Sequence, residues 1–492
     1  MLGLYPVAEV RAAEEEVMSR TASGILMQRA AFGLAGECAR LLGTVVGRVS
    51  GAKVAILVGA GNNGGDALFA GAWLQKRGVA VQAFTLADHH HETGARALVE
   101  AGGRVTTFPG ALPDVDLILD GIVGIGAKGP LREPARSAVD AANSSGALRV
   151  AVDVPSGINA DSGALLGDAA FRADATVTFG CAKPGLFSMP GRGLAGAVRV
   201  IDIGIGDALS SPSGRVMEPI DVLEYFLEPE EHDYKYSRGV VGVAAGSARY
   251  PGAALLAIGG ARYAGVGMTV ILDRRDGVAQ EVVRTYPDVV TTNEDPRHVE
   301  RVRAWLCGPG LVGDAADADL IEALLQASVP VVLDAGALAA LANSDALREV
   351  IRVRGQRGGI TVLTPHAGEY RSLFDDDEQA AIDSGAIVVR KGPATQVRAP
   401  DGTVFIDTVG TPDLACAGSG DVLAGLIAGV LAHQGEAAVG VPETSAAVAA
   451  ATWMHGVAGR CAAHADRPVL ATDLVRVLPE VIAKLRRGER AW

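Results

Sequence analysis

Lysine, cysteine and aromatic residues are scarce in this chain of 492 residues, and each shortage excludes something. Ammonium groups occur only at Lys53, Lys76, Lys128, Lys183, Lys235, Lys391 and Lys484, and 44 basic residues face 57 acidic ones for a formal net charge of −13. Nonspecific nucleic-acid binders and anionic-membrane binders need a positive field, so neither class fits, and an anionic ligand requires a locally built site. The cysteines, Cys38, Cys181, Cys307, Cys416 and Cys461, are odd in number and scattered. They form no CxxC pair and have no histidine partner at metal-ligand spacing, which suits a reduced, cytoplasmic protein. No apolar run approaches the roughly 18–20 residues of a membrane span, and MLGLYPVAEVRAAEEE lacks the basic-then-apolar order of an export signal. With aromatics at 4%, an aromatic-rich β-sandwich is a poor reading.

What is present is apolar and rich in small residues. Hydrophobic residues make up 49% and charged residues 21%, the balance of a globular chain. The length fits two, or at most three, domains of about 100–200 residues. The 63 glycines and abundant alanine suit close-packed α/β layers. After a helical opening, with Met18, Ile25, Leu26, Met27, Leu34, Leu41 and Leu42 on apolar faces, Lys53–Val58 reads as a buried strand. GAGNNGGD follows, and then a helix expected over 67–77. Further strands are expected at 79–86, 117–119, 150–152, 176–179 and 198–203. The Ser-, Pro- and acid-rich stretch 204–231 reads as a linker, with a boundary near Ser213. A second series of strands is expected at 240–245, 268–272, 305–307, 331–333, 360–363 and 386–389, with a hairpin turning at Asp401-Gly402 and helix from Ser419 onward. Such alternation predicts parallel sheets with helices on both faces.

Gly59 to Asp66 lies where a parallel strand feeds a helix, where backbone N–H groups and the helix dipole hold phosphate. The loop matches neither GxGxxG nor the P-loop lysine motif, and a tight turn is the plain alternative. Asp120 and Asp153 each end a strand, before GIVGIGAKGP and VPSG. Acids at strand C-termini of an open α/β sheet face the ligand crevice, although one alone serves equally as a cap or turn residue. Asn62 and Asn63 add carbonyl oxygens suited to a cation.

In this order and spacing, GAGNNGGD, DGIVGIGAKG, AVDVPSGINADSG and TVTFGCAKPG resemble the NAD(P)H-hydrate epimerase family over residues 10–206. The resemblance implies a Rossmann-like three-layer sandwich over residues 1–213. There Asn62, Asn63, Gly64, Gly65 and Asp66, with Gly124, Ile125, Gly126, Ala127, Lys128, Gly129 and Pro130, would hold the hydrated dinucleotide, NADHX or NADPHX. It also implies potassium on Asn63, Asp120 and Ser156, and Asp153 at the nicotinamide end. Epimerising C6 requires reversible loss and return of its hydroxyl beside an acid–base group, for which Asp153 is the candidate. Lys183 would pair a phosphate or carboxylate, or form a structural salt bridge. The departures are Gln28, where the family has the glutamate of LME, and Ala60 and Ala67 within its GPGNNGGDG.

In the second half, AGSGDVLAGLIAGVLA places a glycine turn at a helix start with Asp421 in the first turn. Glycines admit a polyphosphate, the helix terminus stabilises its charge, and Asp421 can take a proton from a hydroxyl; a helix cap is the bland alternative. With KYSRG, Gly246-Ser247, Gly252-Ala253, Cys307-Gly308-Pro309-Gly310, TPHAGE and KGPAT at strand ends, the series resembles the NAD(P)H-hydrate dehydratase family, of ribokinase-like α/β/α fold. The resemblance covers residues 225–485 and assigns 214–492 to an ADP-dependent dehydratase domain. It implies Ala253, Gly310, His366 and Asp421 at the hydrate, and Lys391, Gly392, Pro393, Ala394, Thr395 and Gly420 at the adenine nucleotide, ADP with Mg²⁺. Cys416-Ala417 stands where the family usually has Thr-Gly.

The leading expectation is a bifunctional repair enzyme that epimerises the R and S hydrates and dehydrates the S form with ADP, giving AMP and phosphate. It is expected to self-associate into a homo-oligomer and to bind neither nucleic acid nor membrane. Competing readings are a ribokinase-like kinase of small alcohols with an accessory N-terminal domain, and an N-terminal domain that only binds. His89-His90-His91 reads as a solvated loop, His455 as a packed helix residue, and Asp375–Glu378 as an exposed segment or helix start.

Overall fold

The computed structural model describes residues 1–274, 276–435, 440–464 and 467–489. Contacts divide the chain into two units, Gly3–Gly214 and the part from Arg215 onward, with which Met1–Leu2 is grouped.

The first unit is built on a parallel sheet of seven strands among the described residues. In chain order these are β1 (Lys53–Val58), β2 (Ala80–Thr85), β3 (Arg104–Thr107), β4 (Leu117–Gly121), β5 (Leu148–Val152), β6 (Ala175–Phe179) and β7 (Ala197–Ile201). Across the sheet they run β3-β2-β1-β4-β5-β6-β7, every pairing parallel. The order reverses between β1 and β4, so the chain leaves their C-terminal ends in opposite directions and a crevice opens beyond Val58 and Gly121. Each face has its own apolar core. One contains Ile56, Val58, Leu68, Leu119 and Val152 with helices α1 (Val7–Ser19), α2 (Ile25–Leu41) and α3 (Asn62–Lys76). The other contains Leu57, Phe84, Ile118, Val139 and Phe171 with α4 (Ala135–Asn143). The unit is therefore a three-layer sandwich.

Helix α3 starts at Asn62, earlier than the Ala67 start that the sequence suggested. Asn-Asn-Gly-Gly has poor helix propensity, so the start is set by tertiary fit. A Cβ on Gly64 would stand 2.5 Å from the Gly59 carbonyl oxygen, and one on Gly65 would stand 2.9 Å from the His91 ring. Glycine is what lets the helix begin against its own loop.

In the second unit nine strands form the main run of a sheet that is eleven-stranded among the described residues: β8 (Val240–Ala244), β9 (Met268–Leu272), β10 (Val290–Thr292), β11 (Ala304–Cys307), β12 (Val331–Leu333), β13 (Thr361–Leu363), β14 (Ile387–Arg390), β15 (Gln396–Arg398) and β16 (Val404–Ile406). They lie in the order β16-β15-β14-β13-β12-β11-β8-β9-β10. Pairing is parallel except for β14 with β15 and the hairpin of β15 with β16, which turns through Gly402 at φ 85°. One face carries α5 (Pro251–Arg262), α8 (Ser419–Gln434), α9 (Val441–Ala462) and α10 (Ala471–Arg486); the other carries α6 (Ala315–Leu325) and α7 (Ala367–Phe374). Helix α8 sits unusually close to α5, because a Cβ on Gly425 would fall 1.8 Å from the Ala257 carbonyl oxygen. That contact fixes where the N-terminus of α8, and with it Asp421, meets the sheet. No helix of the described residues is long and apolar enough to cross a membrane.

Candidate active sites

A cavity of about 570 Å³ opens at the reversal point of the first sheet. The α3 start contributes Asn62, Asn63 and Asp66, the loop after β4 contributes Gly124, Ile125 and Gly126, and the loop after β5 contributes Asp153. Arg11 and Glu14 of α1 and Met27 of α2 complete one side. Of the other residues expected here, Gly64 and Gly65 are buried within α3, while Lys128, Gly129 and Pro130 are exposed on the continuing loop with half-buried Ala127. Gln28 is exposed and does not line the cavity, unlike its neighbours Leu26 and Met27. The lost carboxylate is therefore not lost from the cavity wall.

Asp120 is fully buried. Its carboxylate accepts from Ser156 Oγ at 2.7 Å, Ser156 N at 2.8 Å and Ile122 N at 3.2 Å. All three donors are neutral. Burial raises its pKa to about 6, against the pull of those donors. Nearby, Asn63 Nδ2 is buried without a hydrogen-bond partner. A half-turn of that amide presents its carbonyl oxygen in the same place. A buried carboxylate with no cationic side chain bonded to it, a hydroxyl and an amide form an oxygen-rich set that fits a monovalent cation.

Asp153 has φ of 65°, a left-handed conformation costly for a residue with a Cβ. Its Oδ1 accepts from Lys183 Nζ at 2.8 Å and Thr178 Oγ1 at 3.0 Å. Lys183 is 1% exposed and also donates to Thr178 Oγ1 at 2.9 Å and to the Phe179 carbonyl at 2.8 Å. An ammonium has three donors, and all are engaged inside the protein. Lys183 therefore holds a carboxylate rather than a phosphate. The other oxygen of Asp153 faces Gly124, where an added Cβ would come within 3.1 Å of it.

His91 departs from the solvated-loop expectation. Its Nδ1 accepts from Gly94 N at 3.1 Å to cap a helix, its ring meets Phe69 edge-on at 5.5 Å, and it lines the cavity.

In the second unit the site forms at the C-terminal ends of β12, β13 and β14. Asp334, 1% exposed, accepts from Thr364 Oγ1 at 2.7 Å and from Lys391 Nζ at 2.8 Å. A Cβ on Gly420 would lie 3.1 Å from the same ammonium, so Lys391 sits against the first turn of α8. Burial pulls the Lys391 pKa down, but Asp334, Glu369 and Asp421 outweigh it and raise it above its ordinary value. Burial and then Asp334 push Asp421 up to about 7, with Lys391 opposing. Asp334 was missed by sequence reasoning. Yet it follows β12 directly, as Asp120 and Asp153 stand at their strand ends, and the same rule applied to VVLDAG finds it.

The remaining residues surround this pair. His366 caps α7, its Nδ1 accepting from Gly368 N at 3.0 Å and Glu369 N at 3.2 Å while Glu369 Oε2 accepts from His366 N at 2.8 Å. The side chain nonetheless remains 61% exposed, with Nε2 3.6 Å from Glu369 Oε1. Gly310 and Ala253 meet, since a Cβ on Gly310 would stand 2.8 Å from that of Ala253, and Ser247 Oγ donates to the Gly310 carbonyl at 2.7 Å. Gly392 N donates to Thr395 Oγ1 at 3.3 Å, closing the turn from Lys391 to Thr395 in which Pro393 and Ala394 lie. His455 is buried, and burial lowers its pKa to about 4. Its Nε2 lies 3.0 Å from the Ser419 carbonyl at the start of α8, so it is a packed helix residue.

A family model described as YjeF-related protein N-terminus matches residues 23–185, and one described as NAD(P)H-hydrate dehydratase matches residues 241–480. A protein of Mycobacterium tuberculosis named bifunctional NAD(P)H-hydrate repair enzyme Nnr is 41% identical over 449 residues, 88% of this chain and 90% of its own length. The chain belongs to the bifunctional NAD(P)H-hydrate repair enzyme family. A Mycobacterium leprae member of the same name is 39% identical over 454 residues, 90% of each chain. Among solved structures, an ADP/ATP-dependent NAD(P)H-hydrate dehydratase from Bacillus subtilis, co-crystallised with ATP and Mg²⁺, is 28% identical with a TM-score of 0.46. The similarity covers 55% of this chain and 97% of that one. Family membership favours the repair reading over the small-alcohol kinase.

Proposed function

We propose that the first unit epimerises the R and S forms of NADHX and NADPHX, and that the second dehydrates the S form with ADP. The carrying observation is Asp421, whose carboxyl is poised near neutrality at a glycine-rich helix start beside an ammonium held by a buried aspartate. Asp421 takes the proton of the C6 hydroxyl as its oxygen attacks the terminal phosphoryl group of the nucleotide. AMP departs, and the C6–O bond then breaks with its electron pair leaving on phosphate while the N1 lone pair forms N1=C6. Loss of a C5 proton to solvent, its electron pair forming C5=C6 as the N1=C6 pair returns to N1, restores the dihydronicotinamide. Lys391 and the turn through Gly392, Pro393, Ala394 and Thr395, with Gly420, hold the nucleotide phosphates; Ala253, Gly310 and His366 hold the hydrate. Among the described residues no group of His, Cys, Asp and Glu side chains is arranged to hold a metal by itself, so Mg²⁺ fits as the companion of the nucleotide. It would supply charge neutralisation across the phosphates.

In the first unit, Asn62, Asn63 and Asp66 with Gly124 to Pro130 receive the dinucleotide, and Asp153, fixed by Lys183, faces the nicotinamide end. Potassium would be held by Asn63, Asp120 and Ser156 and would supply positive charge beside a carboxylate that lacks a basic partner. The setting is cytoplasmic and the protein self-associates. The test is incubation of both NADHX epimers with protein, K⁺, Mg²⁺ and either ADP or ATP, following reduced-nicotinamide absorbance. Full recovery with ADP, reduced to the S fraction in Asp153→Ala, is the expected result. No recovery with either nucleotide overturns the dehydratase assignment.

A further inference from the structure

Three carboxyl groups line the 570 Å³ cavity, Glu14, Asp66 and Asp153, and the lysine bonded to Asp153, Lys183, is already committed. All three Lys183 donors are engaged by Asp153, Thr178 and the Phe179 carbonyl. Asp66 is 9% exposed, sits in the first turns of α3 and lines the cavity. Among the described residues, no cationic side chain pairs with it. The charged and titratable groups around it are Arg11 and Glu14 of α1, His91 ahead of its helix, Asp153 after β5 and Lys183 after β6. Arg11 reaches only the Ile125 carbonyl, at 3.5 Å.

Epimerisation needs two different proton acts. To leave, the C6 hydroxyl must be protonated, so that the C6–O bond breaks with its electron pair going to the oxygen of a departing water while the N1 lone pair forms N1=C6. To return, a water oxygen must bond C6 from the opposite face, give up one proton and send the N1=C6 pair back to N1. One carboxyl cannot stand on both faces of a ring. Two carboxyls with opposite resting protonation can serve both steps, and dissimilar environments are how a protein sets such a pair apart. Asp153 carries an ammonium partner; Asp66 carries none.

We propose that Asp66 is the second catalytic group of the epimerase: it holds a proton at rest, gives it to the departing C6 hydroxyl, and leaves Asp153 to accept the proton of the water returning on the other face. One turnover leaves Asp66 ionised and Asp153 protonated, which is the starting state for the reverse direction. The interconversion is thus reversible without a further reactant. Burial, then the nearby charges of Asp153 and Glu14, hold the Asp66 pKa well above the ordinary carboxylate range, in accord with a proton held at rest.

This inference rests on the epimerase reading, and its test separates the two. Wild type, Asp66→Asn, Asp66→Glu and Asp153→Ala are compared for R-to-S conversion of NADHX and for incorporation of ¹⁸O from labelled water at C6, alongside substrate dissociation constants and circular dichroism. The expected result for Asp66→Asn is a fall of about 10²–10⁴-fold in kcat for both conversion and ¹⁸O incorporation, over and above any weakening of substrate binding. Asp66→Glu should restore part of the rate, which a merely structural loss would not. Asp66→Asn conversion within threefold of wild type, or a loss matched by equally weakened binding at unchanged kcat, overturns the proposal while leaving the epimerase reading intact. An inactive wild type overturns both.

Discussion

The two sites each place a lysine against an aspartate at a strand end, with the same 2.8 Å separation, and use it oppositely. Lys183 is 1% exposed and fully engaged inside the protein; the Lys391 side chain is 20% exposed with Asp334 as its hydrogen-bond acceptor. The first ammonium immobilises a carboxylate, the one proposed to transfer a proton. The second has one hydrogen-bonded acceptor, and on the proposed function its remaining donors serve the nucleotide phosphates. Exposure, rather than the ion pair itself, is what differs between the site proposed to handle protons and the one proposed to handle phosphate.

The largest expected effect comes from removing the proposed base of the second site. Asp421→Asn should lower ADP-dependent dehydration by about 10²–10⁴-fold while epimerisation continues, measured on purified S and R forms separately. If epimerisation fell equally, the functional independence of the two sites would be broken. Next are the two lysines. Lys183→Met removes one partner of a buried pair and should cost about 3–5 kcal/mol of stability in denaturant unfolding. Lys391→Met should raise the nucleotide KM about 10–100-fold, the loss of a hydrogen bond to a charged group. Although it strips the buried Asp334 of its cation, it should cost less stability than Lys183→Met, because the Lys391 side chain is 20% exposed where Lys183 is 1%. Equal effects on stability would erase the contrast drawn above.

A smaller effect is expected in the pH profile. The Asp421 pKa is raised to about 7, so the base is protonated below that value and ionised above it. Dehydration kcat/KM should rise about tenfold per unit up to pH 7 and level off above. Lys391→Met removes the cation that opposes this shift and should move the limb to higher pH. Smallest is Gln28→Glu. Because Gln28 is exposed and off the cavity, restoring the family carboxylate should change epimerisation less than about twofold.

Strand-end loops were readable because a strand followed by glycines and an acid needs only local pattern. While a glycine turn at a helix start marked Asp421 and the Asp401-Gly402 dipeptide marked the hairpin, that logic located Asp120 and Asp153. It missed Asp334, although the same rule covers it. Other features depend on distant partners: Lys183 joins Asp153 across the β5–β6 crossover, and no local spacing marks that pairing. The start of α3 was misjudged because Gly64 and Gly65 lower helix propensity while satisfying a contact with Gly59 and His91. Edge strands β3 and β10, RVTT and VTT, are largely exposed and carry no buried run to reveal them.

The imidazole of His455 offers a means of watching the second site. A neutral ring whose Nε2 faces the Ser419 carbonyl must carry its proton on Nε2, leaving Nδ1 bare. Its nitrogen resonances therefore report the strength of one hydrogen bond at the turn that bears Asp421. Nucleotide entering that turn should shift this buried signal, and so give a binding isotherm from inside the protein without any label on the ligand.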